Sequence, residues 1–203
     1  MSMKARIKQH LKENWAQYLL IILFFAAGVM LGAYKAGNLD LAVRTHLSGL
    51  INGYLQNGIQ GRLDGSEIIW QAFFTQARTM LLIWFLGLTV IGLPLILGVV
   101  LARGLSLGFS LAFLAHEQNA AGVWIALVSV LPQNLVYIPL LLVWSVVALN
   151  FSVFIVKSRN SPGGSLGRGL LGYTLLMLLF ILATLGGSLI EAYLSPWLLS
   201  LFL

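Results

Sequence analysis

Long apolar stretches separated by short polar or charged segments dominate the hydrophobic pattern of this chain. Four runs contain no Asp, Glu, Lys or Arg, and they lie at residues 14–34, 79–102, 118–156 and 169–190. A membrane-spanning helix needs roughly 20 mostly apolar residues to cross the hydrocarbon. The runs at 14–34, 79–102 and 169–190 match one such helix each, and the run at 118–156 is long enough for more than one. The pattern therefore predicts an all-α, polytopic integral membrane protein.

The long run at 118–156 is interrupted by Pro132, Gln133 and Asn134, which predict a polar turn between two segments. The apolar stretch after Arg103 is too short to cross alone, so we expect one helix with His116 and Glu117 as a polar break inside it. About five crossings result, at residues 16–34, 79–102, 105–131, 135–156 and 169–190.

Positive charge supports this arrangement, because the cytoplasmic flanks of membrane helices are enriched in Lys and Arg. Five crossings with an inside N-terminus place most of the 12 basic residues in the cytoplasm, namely Lys4, Arg6, Lys8, Lys12, Arg103, Lys157, Arg159 and Arg168. As an alternative, 104–131 forms a re-entrant loop, which would move the basic loop outside and is disfavoured by the same rule. We therefore predict a multi-pass protein of the cell membrane with an outside C-terminus.

A single membrane domain is predicted over 1–203, with a basic cytoplasmic N-terminus at 1–15 and a cytoplasmic loop at 157–168. The extracytoplasmic segment 35–78 is the one long connection. Apolar residues recur there at helical spacing, which predicts an amphipathic helix on the outer surface, and they are Val43, Leu47, Leu50, Ile51, Tyr54 and Leu55. We expect this face to pack on the protein's own bundle, with docking of a partner as the alternative.

Composition agrees with a membrane location and excludes several kinds of chemistry. Hydrophobic residues make up 59% of the chain and charged residues 9%, and the mean hydropathy is +0.92. There is no cysteine, so a disulfide, a thiolate metal site and a cysteine nucleophile are excluded. The net charge of +6 does not come from one basic patch with interleaved aromatics, so no nucleic acid is expected as a partner. No cofactor and no metal is expected either.

Residues 104–108 match the G-x-S-x-G hydrolase pattern, with Ser106 at its centre. That motif needs a strand, a strained turn and a helix, whereas here it opens a membrane helix. Glycines four residues apart let two helices approach closely, so helix packing explains the residues better; the glycines are Gly28, Gly32, Gly104 and Gly108. The same spacing predicts a homodimer. An intramembrane hydrolase that uses Ser106 remains an alternative.

Two further groups of polar residues are candidates for function. His116 and Glu117 would be costly inside a membrane helix, as ionisable groups there are rare and often functional. The pair supplies too few ligands for zinc. Near a membrane interface it needs no special role, whereas within the membrane it would serve a transporter or channel subunit, the alternative function. Gln133 and Asn134 either satisfy the backbone groups that Pro132 frees or bind a partner at the outer surface. The sequence leaves both roles open.

Several motifs follow one another in a recognisable order. They are Gly87-Leu88-Thr89-Val90-Ile91-Gly92-Leu93-Pro94, then Arg103-Gly104 through Gly108-Phe109-Ser110, then Leu131-Pro132-Gln133-Asn134-Leu135, and the ending Ile190-Glu191-Ala192-Tyr193-Leu194-Ser195-Pro196-Trp197. Each is made of common membrane residues. Their order and spacing together resemble the stage II sporulation protein M family, and the similarity covers nearly the whole chain.

This resemblance implies a non-enzymatic component of the engulfment machinery of endospore-forming bacteria, located in the mother-cell membrane at the septum. It also implies two partners, a peptidoglycan lytic transglycosylase and an amidase, which the family is thought to anchor and organise. Membrane lipids surround the protein in any such arrangement. Cleavage of peptidoglycan would then belong to the partners, and this chain would not be an enzyme.

Overall fold

The computed structural model describes the backbone of residue 9 and of residues 12–59, 65–89, 91–117, 119–158 and 166–194. Within these ranges the chain forms six α-helices followed by a short π-helical turn. We number them α1 (Trp15–Gly37), α2 (Leu41–Ile59), α3 (Gly65–Gly87), α4 (Gly92–Glu117), α5 (Asn119–Ser158) and α6 (Leu166–Leu189), and the π-helical turn covers Ile190–Leu194. The predicted helical membrane fold is therefore confirmed at this level.

Side-chain contacts give the relative directions of α3, α5 and α6. Trp144 Nε1 donates to the Met80 carbonyl at 3.0 Å, and further along both helices Ser152 Oγ donates to the Thr89 carbonyl at 2.7 Å. Residue numbers rise together in these pairs, so α3 and α5 are parallel. The ring of Tyr173, near the start of α6, stacks on Phe151 near the end of α5, with centroids 4.1 Å apart. Helix α6 is therefore antiparallel to both.

Helices α1 and α4 complete the bundle. Gln17 Nε2, near the start of α1, donates to Asn150 Oδ1 near the end of α5 at 3.1 Å, so these two helices are antiparallel. The bundle then has two ends. We call the end with the start of α1, the α3–α4 turn and Lys157 the Lys157 end. The opposite end, with the end of α1, the α4–α5 junction and Tyr193, is the Tyr193 end.

Trp144 is the centre of the core, at the place where α3, α5 and α6 meet. Its side chain is 0% exposed. The indole ring stacks on Tyr173 with centroids 5.1 Å apart and lies 5.2 Å from the ring of Phe180. A buried indole contributes a large apolar contact area, but its N–H needs an acceptor, which the Met80 carbonyl supplies. One side chain thus joins three helices.

The outer surface of the bundle is apolar in the way that a lipid-facing surface requires. In the part of the chain that the structure describes, four helices are long and apolar enough to cross a membrane, at Trp15–Gly37, Gly92–His116, Val130–Lys157 and Gly167–Leu194. On α1, Trp15 is 66% exposed and Tyr34 is 71% exposed. Aromatic residues of this kind collect at the two membrane interfaces. Their separation along α1 is about 28 Å, close to the ~30 Å hydrocarbon thickness.

The boundary between α3 and α4 differs from the prediction. Helix α3 ends at Gly87 and α4 begins at Gly92, so the chain changes helix before Arg103, which lies inside α4 instead of a cytoplasmic loop. The turn is closed by a hydrogen bond from the Gly92 N–H to the Thr89 carbonyl at 3.1 Å, and a Cβ on Gly92 would overlap the Leu86 carbonyl. Pro94 fits the first turn of α4, where backbone N–H groups have no intrahelical acceptor.

The predicted polar turn at Pro132, Gln133 and Asn134 is wrong, because these residues lie inside the continuous helix α5. Pro139, about two turns later, is also within this helix. A proline removes one N–H, and a helix packed in a bundle tolerates the loss because neighbouring groups satisfy the freed backbone. The Asn134 amide contributes here by donating to the Val130 carbonyl at 2.7 Å. The crossing predicted at 135–156 lies within the apolar span Val130–Lys157. The crossings predicted at 79–102 and 105–131 are wrong as single helices, because the first is divided between α3 and α4 and the second between α4 and α5.

His116 and Glu117 do not form a break inside one helix. Helix α4 ends at Glu117 and α5 begins at Asn119, so the two residues lie at a helix–helix junction. Short polar sequences interrupt the apolar pattern both at His116-Glu117 and at Pro132. The chain changes helix at His116-Glu117 and not at Pro132. Hydrophobicity along the sequence does not distinguish the two places.

Candidate functional site

The four glycines predicted to pack helices meet one another within a single chain. A Cβ on Gly28 would overlap the Leu101 carbonyl, and a Cβ on Gly104 would overlap the Phe25 carbonyl. Gly32 and Gly108 continue the same contact one turn further along each helix. The glycines therefore bring the backbones of α1 and α4 together, in parallel orientation. Homodimer formation remains a prediction, and these glycines no longer argue for it because their faces are occupied.

A polar cavity lies beside this contact between α1 and α4, which we call the α1–α4 seam. The cavity lies between α4 and α5. Its volume is about 190 Å³. The polar residues that line it come from three helices and are Gln76, Arg103, Ser106, Ser110, Asn134 and Tyr137. Phe25, Leu107, Val130, Ile138 and Leu141 provide the apolar part of the wall. The cavity is thus amphiphilic, with half of its polar residues on α4.

Arg103 is the most unusual residue of this cavity, because it lies near the middle of the 25-residue span Gly92–His116. A guanidinium at this depth is costly and normally faces a bundle interior or a polar cavity. Its Nη2 donates to the Thr75 carbonyl of α3 at 3.2 Å. Thr75 O also accepts from Thr79 Oγ1 at 3.2 Å. Arg103 therefore connects α4 to α3 while it lines the cavity.

Tyr137 forms the wall of the cavity on the side of α6. Its hydroxyl lies 3.2 Å from Ser188 Oγ and 3.1 Å from Glu191 Oε2. The ring packs on Gly187, where a Cβ would overlap it. Ser188 Oγ donates in turn to the Thr184 carbonyl at 3.1 Å. This chain of hydrogen bonds fixes the end of α6 and the π-helical turn against α5.

The polar residues predicted to be functional lie in different places in the structure. Asn134 lines the cavity, whereas Pro132 and Gln133 are half-buried on α5. His116 is exposed at the end of α4, and its carbonyl accepts a 3.5 Å hydrogen bond from Arg44 Nη2. The side chain of Glu117 lies outside the described residues. His116 is therefore not among the residues that line the cavity.

Ser106 lies within the uninterrupted helix α4 and is exposed. The strand, strained turn and helix that the G-x-S-x-G motif requires are not the local structure here. Among the described residues, no three His, Asp or Glu side chains are close enough together to hold a metal ion.

Exposed apolar residues form a second feature, at the Tyr193 end. On α2, Leu41 is 81% exposed and Leu50 is 60% exposed, and Val43 is exposed as well. The expectation that the apolar face of this helix packs on its own bundle is wrong for Val43 and Leu50. The side chains of Ile51, Tyr54 and Leu55 lie outside the described residues, as do Gly61 and its neighbours.

An aromatic cluster lies at the same end, where α3 begins. Trp70 stacks on Phe74 with centroids 5.7 Å apart, and Phe73 meets the edge of the Trp70 ring at 6.0 Å. Trp70 and Phe74 are both exposed. Aromatic side chains with this exposure are typical of a membrane interface.

One part of the cavity could be predicted from the spacing of polar residues in the sequence. Arg103, Ser106 and Ser110 are three and four residues apart, which places them on one helical face. Assigning Arg103 to a loop concealed this face. Gln76 and Tyr137 come from other helices, so only the tertiary structure brings them to the same place.

Comparison with known proteins agrees with the motifs and with the helical fold. The model of the family described as Stage II sporulation protein M matches residues 21–196, from within α1 to just beyond the π-helical turn. No curated protein and no solved structure matches the chain. The family match covers all the helices that pack in the bundle, and on this evidence the chain belongs to the Stage II sporulation protein M family.

Proposed function

We propose that this protein is a non-enzymatic membrane scaffold that anchors and organises peptidoglycan hydrolases at the septum during engulfment. Membership of a sporulation family supports the process. A lytic transglycosylase and an amidase are the proposed partners, and they would carry out the cleavage. Anchoring two enzymes on one membrane protein raises their effective concentration at the wall without any new catalytic group.

The proposal needs a surface outside the cytoplasm, and five crossings would provide one. Helix α3 would be the fifth crossing. It carries Glu67, Gln71 and Arg78, which lower its hydropathy, but it packs in the core through Met80 and Ile83. The alternating directions of the five packed helices fit this count. It places the N-terminus and the C-terminus on opposite sides of the membrane.

Charge supports an orientation with the Lys157 end in the cytoplasm. The segments at this end contain more basic residues, namely Lys4, Arg6, Lys8, Lys12, Lys157, Arg159 and Arg168. Lys35, Arg44 and Arg62 belong to the connection at the Tyr193 end, and Arg78 and Arg103 lie within helices. Moving Arg103 out of the cytoplasmic loop therefore leaves the orientation unchanged. The Tyr193 end would face the space where the wall is cut.

The observation that carries the docking role is the exposed apolar face of α2 at this end. Val43 and Leu50 are seven residues apart, so they share one face, while Leu41 points to the opposite face. Both leucines are exposed in the single chain. An exposed apolar helix of this kind is a typical binding surface for a protein partner.

The test compares two identical substitutions on the two faces of α2. Leu50→Ser removes an apolar side chain from the proposed docking face, and Leu41→Ser removes one from the opposite face. We expect Leu50→Ser to reduce recovery of the two hydrolases with the tagged full-length protein, purified in mild detergent from sporulating cells. One buried leucine contributes about 2 kcal/mol, so the loss should be about ten-fold or more.

Leu41→Ser is the matched control and should retain the hydrolases, with equal membrane levels of both variants. Equal recovery from both variants would remove this face of α2 from the proposal. Recovery of no hydrolase with the unchanged protein would contradict the scaffold function itself. Copurification of an ATPase subunit in their place would favour the transporter alternative.

A further inference from the structure

The polar cavity between α4 and α5 has the properties of a binding site for an anion. Among the residues that line it, Arg103 alone carries a formal charge. Glu191, the acidic residue next to the cavity wall, is bound to Tyr137 rather than to Arg103. A guanidinium held in a medium of low dielectric constant is stabilised strongly by a negative charge brought next to it.

The donors around Arg103 match the needs of a tetrahedral oxyanion. One guanidinium nitrogen is used on the Thr75 carbonyl, and the planar group has further N–H donors in a fork that suits phosphate oxygens. The Gln76 amide and the Ser106 hydroxyl line the same cavity and can donate as well. A volume of about 190 Å³ leaves room for a phosphate group with part of what it is attached to.

The position of the opening indicates what the anion is attached to. Ser106 lines the cavity and is exposed, so the cavity is open at this residue. Ser106 lies near the middle of the span Gly92–His116, at a depth where the surroundings are hydrocarbon. Phe25, Leu107 and Leu141 add an apolar wall. A ligand that enters here carries apolar chains, and the abundant anionic group attached to such chains in a bilayer is phosphate. To reach Arg103 the phosphate would be drawn inward from the membrane interface, as a charged group deep in a bilayer favours by local thinning.

We propose that this cavity binds the phosphate group of an anionic lipid, with phosphate oxygens on the Arg103 guanidinium and the lipid chains leaving the protein past Ser106. The site is separate from the proposed docking face on α2 and does not depend on the scaffold function. A bound lipid would also bridge α3 and α4, because the donors argued for its phosphate are Gln76 on α3 and Arg103 and Ser106 on α4.

The test uses the full-length protein, purified in detergent and depleted of lipid, and short-chain phosphatidylglycerol as the probe. Native mass spectrometry counts the bound lipid, and the shift in melting temperature on titration gives its affinity. We expect one tightly held phosphatidylglycerol, and we expect Arg103→Gln to weaken its binding by about ten-fold or more, since a charge-assisted contact is lost.

Arg78→Gln is the matched control, because Arg78 is an exposed arginine on α3 that does not line the cavity. Its binding should stay within about two-fold of the unchanged protein. If Arg78→Gln weakens binding as much as Arg103→Gln, general attraction of the basic protein for anionic lipid explains the result and the site is overturned. Unchanged binding by Arg103→Gln overturns it as well.

Two further measurements separate the sources of phosphate and protect against misfolding. Inorganic phosphate at millimolar concentration should neither stabilise the protein nor displace the lipid, and displacement would show a free-anion site instead. Ser106→Phe keeps Arg103 and its contact with Thr75, but it narrows the opening at an exposed position where folding tolerates a larger side chain. This variant should lose the bound lipid, and normal lipid binding by it would contradict the proposed entry.

Discussion

The contact between α1 and α4 predicts that replacing two glycines of α4 with alanine changes the free energy of unfolding in opposite directions. Gly104 is buried, and a Cβ there would overlap the Phe25 carbonyl and lie 3.1 Å from the Val29 nitrogen. Gly98 lies less than two turns earlier on α4, is exposed, and has nothing within 4 Å of its Cβ position. Replacing each with alanine changes the helix in the same way and the packing in different ways.

The magnitudes follow from this difference. Alanine favours a helix over glycine by about 1 kcal/mol, and both variants gain this contribution. Extra methyl groups in a packed interface cost about 1–3 kcal/mol, and the upper value applies at Gly104 because backbone atoms, unlike a side chain, cannot turn aside. Gly104→Ala should therefore lower the free energy of unfolding by about 2 kcal/mol, and Gly98→Ala should raise it by about 1 kcal/mol.

Equilibrium unfolding in mixed micelles, by titration with sodium dodecyl sulfate, measures this difference. The 6 tryptophans give a fluorescence signal and circular dichroism gives an independent one. The midpoint should not depend on protein concentration, because the seam lies within one chain. If Gly104→Ala were as stable as Gly98→Ala, the close contact between α1 and α4 at Gly104 would be refuted. A midpoint that rises with concentration would return these glycines to a dimer interface.

Three other predictions concern two buried serines and the number of membrane crossings. Ser145 is fully buried on α5 and its Oγ has no hydrogen-bond partner, so Ser145→Ala should leave the unfolding midpoint unchanged or raise it. Ser152→Ala should lower it by about 1 kcal/mol, because Ser152 Oγ holds the α3–α4 turn through the Thr89 carbonyl; the opposite order would contradict the assigned hydrogen bond. The chain has no cysteine, so Ile91→Cys in that turn can be labelled selectively. With five crossings it should react with a membrane-impermeant maleimide only after the cells are opened, while Asn38→Cys reacts in intact cells; equal labelling of both in intact cells would show that α3 does not cross.

The amino-acid sequence by itself determined the class of the fold and the family. Uncharged runs of sufficient length predict membrane helices whatever their neighbours are, because the bilayer sets the length and every backbone polar group must be satisfied within the helix. The order of motifs such as those around Gly92 and Gly104 indicated the family, which the match over residues 21–196 shows. Glycine spacing predicted a close helix contact but not which helix would fill it.

The tertiary structure decided what depends on neighbours. Pro132 lies inside α5 because packing in the bundle sustains a helix that the sequence pattern would end. Helix α3 belongs to the core although its polar residues lower its hydropathy, since Thr75 and Met80 find partners on α4 and α5. Arg103 becomes a cavity residue only when Gln76 and Tyr137 reach it from other helices. Hydropathy is summed along one chain segment, whereas a polar group in a membrane is stabilised by contacts with distant segments, which no single stretch of sequence contains.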